Sequence, residues 1–228
     1  MLDNISLVSV VFDYHTEYTP TFFNNAKKYF LKENIHVARF SNLINTQCYY
    51  EKLYFYKIEK LKDYVKNNIK TEFMLFLDAT DTNFLKDPSN LEEDFKKHNC
   101  SILFCAEKGL WPPMDYNHLY SNKRVLSEKK YLNSGAYIGY TKKIVEYLEE
   151  IIQDQRGHKD DQAKWAIQYL HKEDIIIDQE CSIFFSSYLN KNDVSFINNR
   201  PQLNKLDAYI VHDNGGYSEN TLKLVPLL

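Results

Sequence analysis

Phe73-Met74-Leu75-Phe76-Leu77 is apolar at five consecutive positions and stops abruptly at Asp78-Ala79-Thr80-Asp81. A short apolar run without alternation reads as a buried strand, and the carboxyl ends of such strands are where open α/β sheets bind ligands. Far downstream, Ala208-Tyr209-Ile210-Val211 ends in His212 in the same way. Acids capping one strand and an imidazole capping another predict a divalent-metal site. Such a site suits chemistry on a phosphate-bearing molecule, because the cation neutralises charge building on the departing oxygens.

The flanking segments predict a sheet around that strand. Ile5 to Phe12 reads as a buried strand, Thr19-Pro20 as a helix start with the helix running to about Lys32, and His36 to Phe40 as a short strand. Tyr50, Leu53, Tyr54, Lys57, Ile58, Leu61, Tyr64 and Val65 then recur at helical spacing. Ser89 with Glu92 has the form of a capping box opening a helix to about Lys97, and Ser101 to Ala106 predicts another buried strand. This alternation favours a parallel, doubly wound sheet. Residues 108–130, with Trp111-Pro112-Pro113, are too long and irregular for a mere connection and read as a functional loop. Beyond it come a strand at Leu132 to Tyr140, a helix carrying Ile144, Val145, Leu148, Ile151 and Ile152, and a helix from Asp161 to Leu170. Short strands are predicted at Ile175 to Ile177, Ser182 to Phe185, Val194 to Ile197 and Ala208 to Val211.

Composition excludes several classes. At 228 residues and 44% hydrophobic the chain can bury a full core as one domain, or as two closely packed lobes sharing a sheet. A net charge of -3 argues against non-specific nucleic-acid binding, which needs lysine and arginine clusters. No stretch approaches the roughly 20 apolar residues of a membrane span. Met1-Leu2-Asp3-Asn4 lacks the basic region and apolar core of a secretory signal, so a cytoplasmic location is expected. Cys48, Cys100, Cys105 and Cys181 have no metal-finger spacing and are expected as free, partly buried thiols. Lysine far outnumbers arginine and glycine is scarce, a bias that points to an AT-rich bacterial or viral genome.

Several constellations carry chemistry, each with a bland counterpart. Asp78 and Asp81 are three apart, so an extended strand would point them to opposite faces; both can face one cation only if the chain turns at Ala79 and Thr80. Otherwise they cap the next element or make an Asx-turn. Two acids with one imidazole suit Mn, with Mg second, better than Zn. After His212, Asp213-Asn214-Gly215-Gly216 is a turn that brings N–H groups near an anion. Asp160-Asp161-Gln162 opens a helix, where acids also complement the dipole; the functional reading sets a carboxylate beside an electron-poor sugar carbon, with Gln162 and the other acid holding hydroxyls. In Asn133-Ser134-Gly135 the asparagine can bind a hydroxyl and the glycine can admit a ligand close to the backbone. Trp111 either seals a core or forms a stacking wall for a sugar, and Lys52 either meets a diphosphate or is solvated.

In order along the chain stand Phe76-Leu77-Asp78-Ala79-Thr80-Asp81, then Phe104-Cys105-Ala106-Glu107 with Trp111-Pro112. Tyr131-Leu132-Asn133-Ser134-Gly135-Ala136-Tyr137-Ile138-Gly139-Tyr140, Asp160-Asp161-Gln162 and Val211-His212-Asp213-Asn214-Gly215 follow. Together these blocks resemble the glycosyltransferase domain of collagen lysyl hydroxylases, over nearly the whole chain. The resemblance implies an α/β GT-A fold: a Rossmann-like nucleotide-binding sheet in about the first 107 residues and a mixed acceptor and catalytic region in 108–228. It also implies a Mn-dependent UDP-sugar donor and retention of configuration. By position, Asp78, Asp81 and His212 would hold the metal, and Val11, Asp13, Lys52 and Thr80 would line the nucleotide pocket, with Asn214 and Gly215 beside it. Trp111, Asn133, Asp160, Asp161 and Gln162 would shape the sugar site and support transfer.

The chain departs from the pattern in places. Asp213 follows the histidine where the family has glycine, Ser218 stands near a family lysine that Lys223 would have to replace, and Thr80 replaces an aromatic that stacks on uracil. The family's hydroxylase domain is absent, which implies a stand-alone enzyme, here expected from a large DNA virus with collagen-like proteins. The reading is a retaining transferase moving glucose from UDP-glucose to galactosyl-hydroxylysine in a collagen-like glycopeptide. The alternatives are another acceptor (hydroxylysine, a glycan or lipopolysaccharide), a silent sugar-nucleotide-binding module, or a metal-dependent phosphoesterase. Donor sugar, oligomeric state and the choice between double displacement and same-face attack stay open.

Overall fold

The computed structural model describes residues 2–12, 19–40, 49–113, 117–154, 160–188, 194–197, 200–203 and 207–214, with residues 12, 19–21, 49–54, 117, 194–197 and 200–203 described as backbone only. In chain order the elements are β1 (Ile5–Phe12), α1 (Thr19–Ala26), β2 (Ile35–Phe40), α2 (Tyr49–Asn68), β3 (Phe73–Leu77), β4 (Thr82–Phe84), α3 (Leu91–Lys97), β5 (Ile102–Glu107), the single turn α4 (Asn117–Tyr120) and β6 (Tyr131–Tyr140). Then follow α5 (Thr141–Gln153), α6 (Asp161–His171), β7 (Ile175–Asp178), β8 (Phe184–Ser186), β9 (Val194–Ile197), β10 (Arg200–Leu203) and β11 (Ile210–His212).

The main sheet has the order β2-β1-β3-β6-β5-β7. The strands β1, β2 and β3 pair in parallel, as do β5 and β7, but β6 runs antiparallel to both β3 and β5. The strands read from the alternation, β1, β2, β3 and β5, share one direction, and β6, from the mixed second half, lies antiparallel between β3 and β5. The chain leaves β5 at the carboxyl edge and returns down β6, and an antiparallel neighbour needs no helical crossover.

Both faces of β3 are covered, which is why its residues are apolar without alternation. Val8, Met74, Phe76, Phe104 and Tyr137 pack on one face against Ile58, Leu61 and Val65 of α2, Ile144 and Leu148 of α5, and Trp165 of α6. Leu7, Leu75, Leu103 and Ile138 pack on the other against Phe22 of α1, Phe95 of α3, and the aromatic and aliphatic residues Phe84, Phe184 and Ile210. Phe76 stacks on Tyr137 with centroids 4.9 Å apart. Truncating it to alanine would cost about 3–5 kcal/mol.

A second sheet, β4-β11-β8, was not anticipated at β4. Three residues directly after a turn are too few to show a period; their strand character comes from the partner β11, antiparallel to β4 and parallel to β8.

Local boundaries move for identifiable reasons. The helix begun at Thr19 ends at Ala26 rather than near Lys32, because the next residues pair with the start of the chain: Leu2 N–H donates to Tyr29 O at 2.9 Å, and Leu2 bridges Phe30. The Ser89–Glu92 capping box does not form. Asp87 Oδ1 accepts the Ser89 N–H at 2.9 Å, Asn90 is the cap residue without a side-chain bond, and Glu92 accepts from Lys96 at 2.6 Å. The strand expected from Ser182 begins at Phe184, because the buried carboxylate of Asp178 takes the N–H groups of Ser182, Ile183 and Phe184 at 3.0, 2.7 and 2.8 Å. Cys100, Cys105 and Cys181 are buried thiols rather than disulfides; Cys48 lies outside the described residues. Among the described residues no helix is long and apolar enough to cross a membrane.

Candidate active site

The carboxyl edge of the main sheet opens into a cavity of about 490 Å³. Asp78 follows the last residue of β3, and the chain then turns: Thr82 Oγ1 donates to Asp78 O at 2.5 Å and strand pairing resumes at Thr82. Asp81, the last turn residue, precedes β4. His212 closes β11 directly opposite Thr82, and Asp213 N–H donates to Asp81 O at 2.8 Å. Backbone pairing thus delivers the imidazole to the aspartates. One ligand atom from each of Asp78, Asp81 and His212 lies within 4.8 Å of the other two.

The donor set fits a hard divalent cation. His212 Nδ1–H donates to Asn133 Oδ1 at 2.7 Å. That oxygen is identified by its other bonds: it accepts the Gly135 N–H at 3.0 Å, while Asn133 Nδ2 donates to Glu107 at 3.1 Å. The lone pair of His212 is therefore on Nε2, which stands 3.4 Å from Asp81 Oδ1. A histidine whose second nitrogen is held in this way is the usual arrangement of a metal ligand. Burial opposes the charged imidazole, but Asp81, with Asp78 and Glu107 behind it, outweighs that and raises its pKa. Desolvation lifts Asp78 above the usual carboxylate range, against the pull of Lys57.

A bulge shapes the floor. The β5–β6 register jumps from Phe104↔Tyr137 to Cys105↔Asn133, so residues 134–136 have no β5 partner. Bulges of this kind re-aim side chains beside functional sites. Gly135 passes so close to the cluster that a Cβ there would lie 2.6 Å from His212 Nε2 and 2.8 Å from Asp78 Oδ2. This close approach requires glycine.

The wall opposite the cluster is the start of α6. Asp160 caps the helix, accepting the Ala163 N–H at 3.0 Å, and desolvation with the neighbouring Asp161 lifts its carboxyl to about 6. Asp161 is ion-paired to Lys57 at 2.8 Å, and Lys57 also reaches Asp78 Oδ1 at 3.2 Å. Gln162 donates to Glu107 at 2.7 Å and to Trp111 O at 2.9 Å, and accepts the Ser134 N–H at 3.1 Å. Trp111 is 61% exposed at the rim, not in the core. Asn214 donates to the same Glu107.

Of the residues expected from sequence, Asp78, Asp81, His212, Asn133, Trp111, Asp160, Asp161, Gln162 and Asn214 line this one cavity. Val11, 2% exposed, packs in the core, and neither it nor Thr80, whose hydroxyl faces Asp81 Oδ1 at 3.5 Å, is among the described lining residues. Asp13, Gly215, Ser218, Lys223 and the side chain of Lys52 lie outside the described residues.

Glu107, Lys57 and Tyr188 also line the cavity and lie outside the sequence expectation. Glu107 ends the apolar run of β5 just as Asp78 follows that of β3, and is 1% exposed with three amides bonded to it. Desolvation raises its pKa while those amides hold it down. Lys57 falls among the apolar positions of the helical period, and a lysine on a buried face requires a partner. Both signals were present in the sequence.

The described lining holds five carboxylates, those of Asp78, Asp81, Glu107, Asp160 and Asp161, against the single lysine Lys57. An anionic diphosphate meets repulsion there unless a divalent cation accompanies it. A lining of this charge fits a divalent cation beside any anionic group that enters.

Residues 32–223 match the PLOD GT domain family. The chain belongs to that family. It is a glycosyltransferase domain.

Relatives of this PLOD GT domain include an uncharacterized protein of Acanthamoeba polyphaga mimivirus, 30% identical over half of this chain and 24% of that protein. Procollagen-lysine,2-oxoglutarate 5-dioxygenase 2 of Mus musculus is 31% identical over 56% of this chain and 18% of its own length. The Drosophila melanogaster procollagen-lysine,2-oxoglutarate 5-dioxygenase is 28% identical over 70% of this chain and 24% of its own. The chain thus spans about a quarter or less of the curated relatives it matches. A solved glycosyltransferase involved in glycosylating the major capsid of PBCV-1 superposes with a TM-score of 0.59 at 14% identity, over 96% of both chains. The architecture is GT-A-like.

Proposed function

We propose that this chain is a retaining glucosyltransferase that moves glucose from UDP-glucose to galactosyl-hydroxylysine in a collagen-like protein. The observation that carries the reading is the Asp78–Asp81–His212 cluster at the carboxyl edge of the sheet, facing the acidic start of α6 across one cavity. The likeness to procollagen-lysine dioxygenases supports a collagen-like acceptor, and the mimivirus relative supports a viral source.

In this reading Asp78, Asp81 and His212 Nε2 hold Mn, or Mg in its place. The cation, when bound, neutralises charge on the departing diphosphate. Asp161, ion-paired to Lys57, and Asp160, with one oxygen spent on the helix cap, present negative charge to the anomeric carbon as positive charge develops there. Trp111 offers its exposed ring as a wall for a sugar. Gln162, anchored to Glu107 and the Trp111 carbonyl, fixes that wall relative to α6.

The test is transfer from UDP-glucose and UDP-galactose, with Mn, onto collagen peptide stripped of glucose. Glucose appearing on galactosyl-hydroxylysine, abolished by a chelator and restored by Mn, is expected. Hydrolysis of UDP-glucose without transfer to the peptide would refute the acceptor. Binding of UDP with Mn and no turnover would mark a silent binding module instead.

A further inference from the structure

Lys57 differs from its neighbours on α2. Lys62 and Lys66 pair with Asp63 and Glu149 at the surface, whereas the Lys57 side chain is 12% exposed and its ammonium lies 5.1 Å from the centroid of the Phe76 ring. A buried ammonium must be compensated. It is, by Asp78 Oδ1 at 3.2 Å and Asp161 Oδ2 at 2.8 Å, two carboxylates from different elements. Burial disfavours its charge, but those two carboxylates more than reverse the effect and hold its pKa well above the usual lysine value.

The two oxygens of Asp78 face different partners. Oδ1 meets Lys57, while Oδ2 lies on the His212 side, where a single Cβ on Gly135 would touch both it and Nε2. Asp161 sits in the first turn of α6, and no described cation other than Lys57 is ion-paired to it. A continuous line of charge runs from the metal-ligand cluster through Asp78 and Lys57 to Asp161.

We propose that Lys57 is a positioning residue that couples the cation site to Asp161, restraining the affinity of the cluster for its cation while aiming the Asp161 carboxylate into the cavity. The proposal rests on the transfer reading above. It makes cation affinity and turnover move in opposite directions. Without the ammonium, the cluster is one positive charge poorer and holds a cation more tightly; Asp161, without its anchor, no longer faces the sugar. A role in folding alone would weaken both together.

The experiment compares the full chain with Lys57→Met. Mn affinity is measured by calorimetry without nucleotide, and kcat and KM are measured for UDP-glucose. The expected result is Mn binding about tenfold tighter, kcat lower by about tenfold or more, and KM for UDP-glucose within about threefold of wild type. Unchanged or weaker Mn binding overturns the proposal. Should Lys57→Met fail to fold, Lys57→Met with Asp161→Asn removes charge from both ends of the pair. Its kcat should equal that of Asp161→Asn alone, and a further multiplicative loss overturns the coupling. If the wild type binds Mn but transfers no sugar, the transfer reading falls, and the Mn measurement still decides whether Lys57 competes for Asp78.

Discussion

His212 Nε2 stands 3.4 Å from Asp81 Oδ1 although the two residues are 131 positions apart in sequence, because β4 and β11 pair in the second sheet. Their contact is backed by backbone, since Asp213 N–H donates to the Asp81 carbonyl at 2.8 Å. The imidazole can therefore be removed without removing the pairing that presents it. His212→Ala is expected to weaken Mn binding by about 10- to 100-fold. The melting temperature should change far less than a core truncation would change it. Calorimetric titration with Mn beside a thermal melt checks both, and an unaltered Mn affinity would remove His212 from the cation site.

Gly135→Ala tests the floor of the cavity. The added methyl would lie 2.6 Å from His212 Nε2 and 2.8 Å from Asp78 Oδ2, so those two groups must part. Overpacking of this kind costs about 1–3 kcal/mol, and here the displaced atoms belong to the candidate cation ligands. Loss of Mn binding should exceed the loss of stability, as read from titration and denaturant midpoint together.

Glu107→Gln changes one oxygen to an amide nitrogen at a position 1% exposed to solvent. The carboxylate accepts from Asn133, Gln162 and Asn214, and an amide group turns one of those contacts into donor against donor. The expected destabilisation is about 1–3 kcal/mol. Because Asn133 in turn holds His212 Nδ1, the variant should also bind Mn more weakly, and Asn133→Ala should share that defect. Equal Mn affinity in both variants and wild type would show that the chain from Glu107 to His212 does not position the ligand.

Asp160 has its carboxyl lifted from 3.8 to about 6 by desolvation and by Asp161. A carboxyl whose pKa is raised on folding favours the folded state when protonated, so its ionisation lowers stability as pH rises from about 4 through 6, and the cost is complete above 6. Asparagine caps helices as well as aspartate and stays neutral. Asp160→Asn should therefore be more stable than wild type at pH 8, by on the order of 1–3 kcal/mol, with the advantage gone below about pH 4. Transfer by the wild type should fall as pH drops through about 6, and a pH–rate profile of the Asn variant lacking that limb would assign it to this group.

Much of the site could be read from where apolar runs stop. Asp78, Glu107 and His212 each stand at the end of a buried strand, and a strand end in an α/β sheet is a place where ligands bind. Lysine choice was harder. The side chain of Lys52, expected to meet the ligand, lies outside the described residues, while the structure brings Lys57 to Asp78 and Asp161. That Lys57 faces the site depends on which side of α2 meets the sheet. The Ser89–Glu92 motif failed for a related reason: Asp87, two residues earlier, had already captured the Ser89 N–H.

Local physics, then, was enough to specify most strands, most helices and the acids at their tips, because burial and capping are written in neighbouring residues. The reversal of β6, the bulge at residues 134–136, the β4–β11 register and the facing of Lys57 were not accessible in that way. Each depends on pairing or packing between segments distant in sequence, whose geometry exists only once the chain has closed on itself. That closure is what turns separate acids, an imidazole and a buried lysine into one cavity.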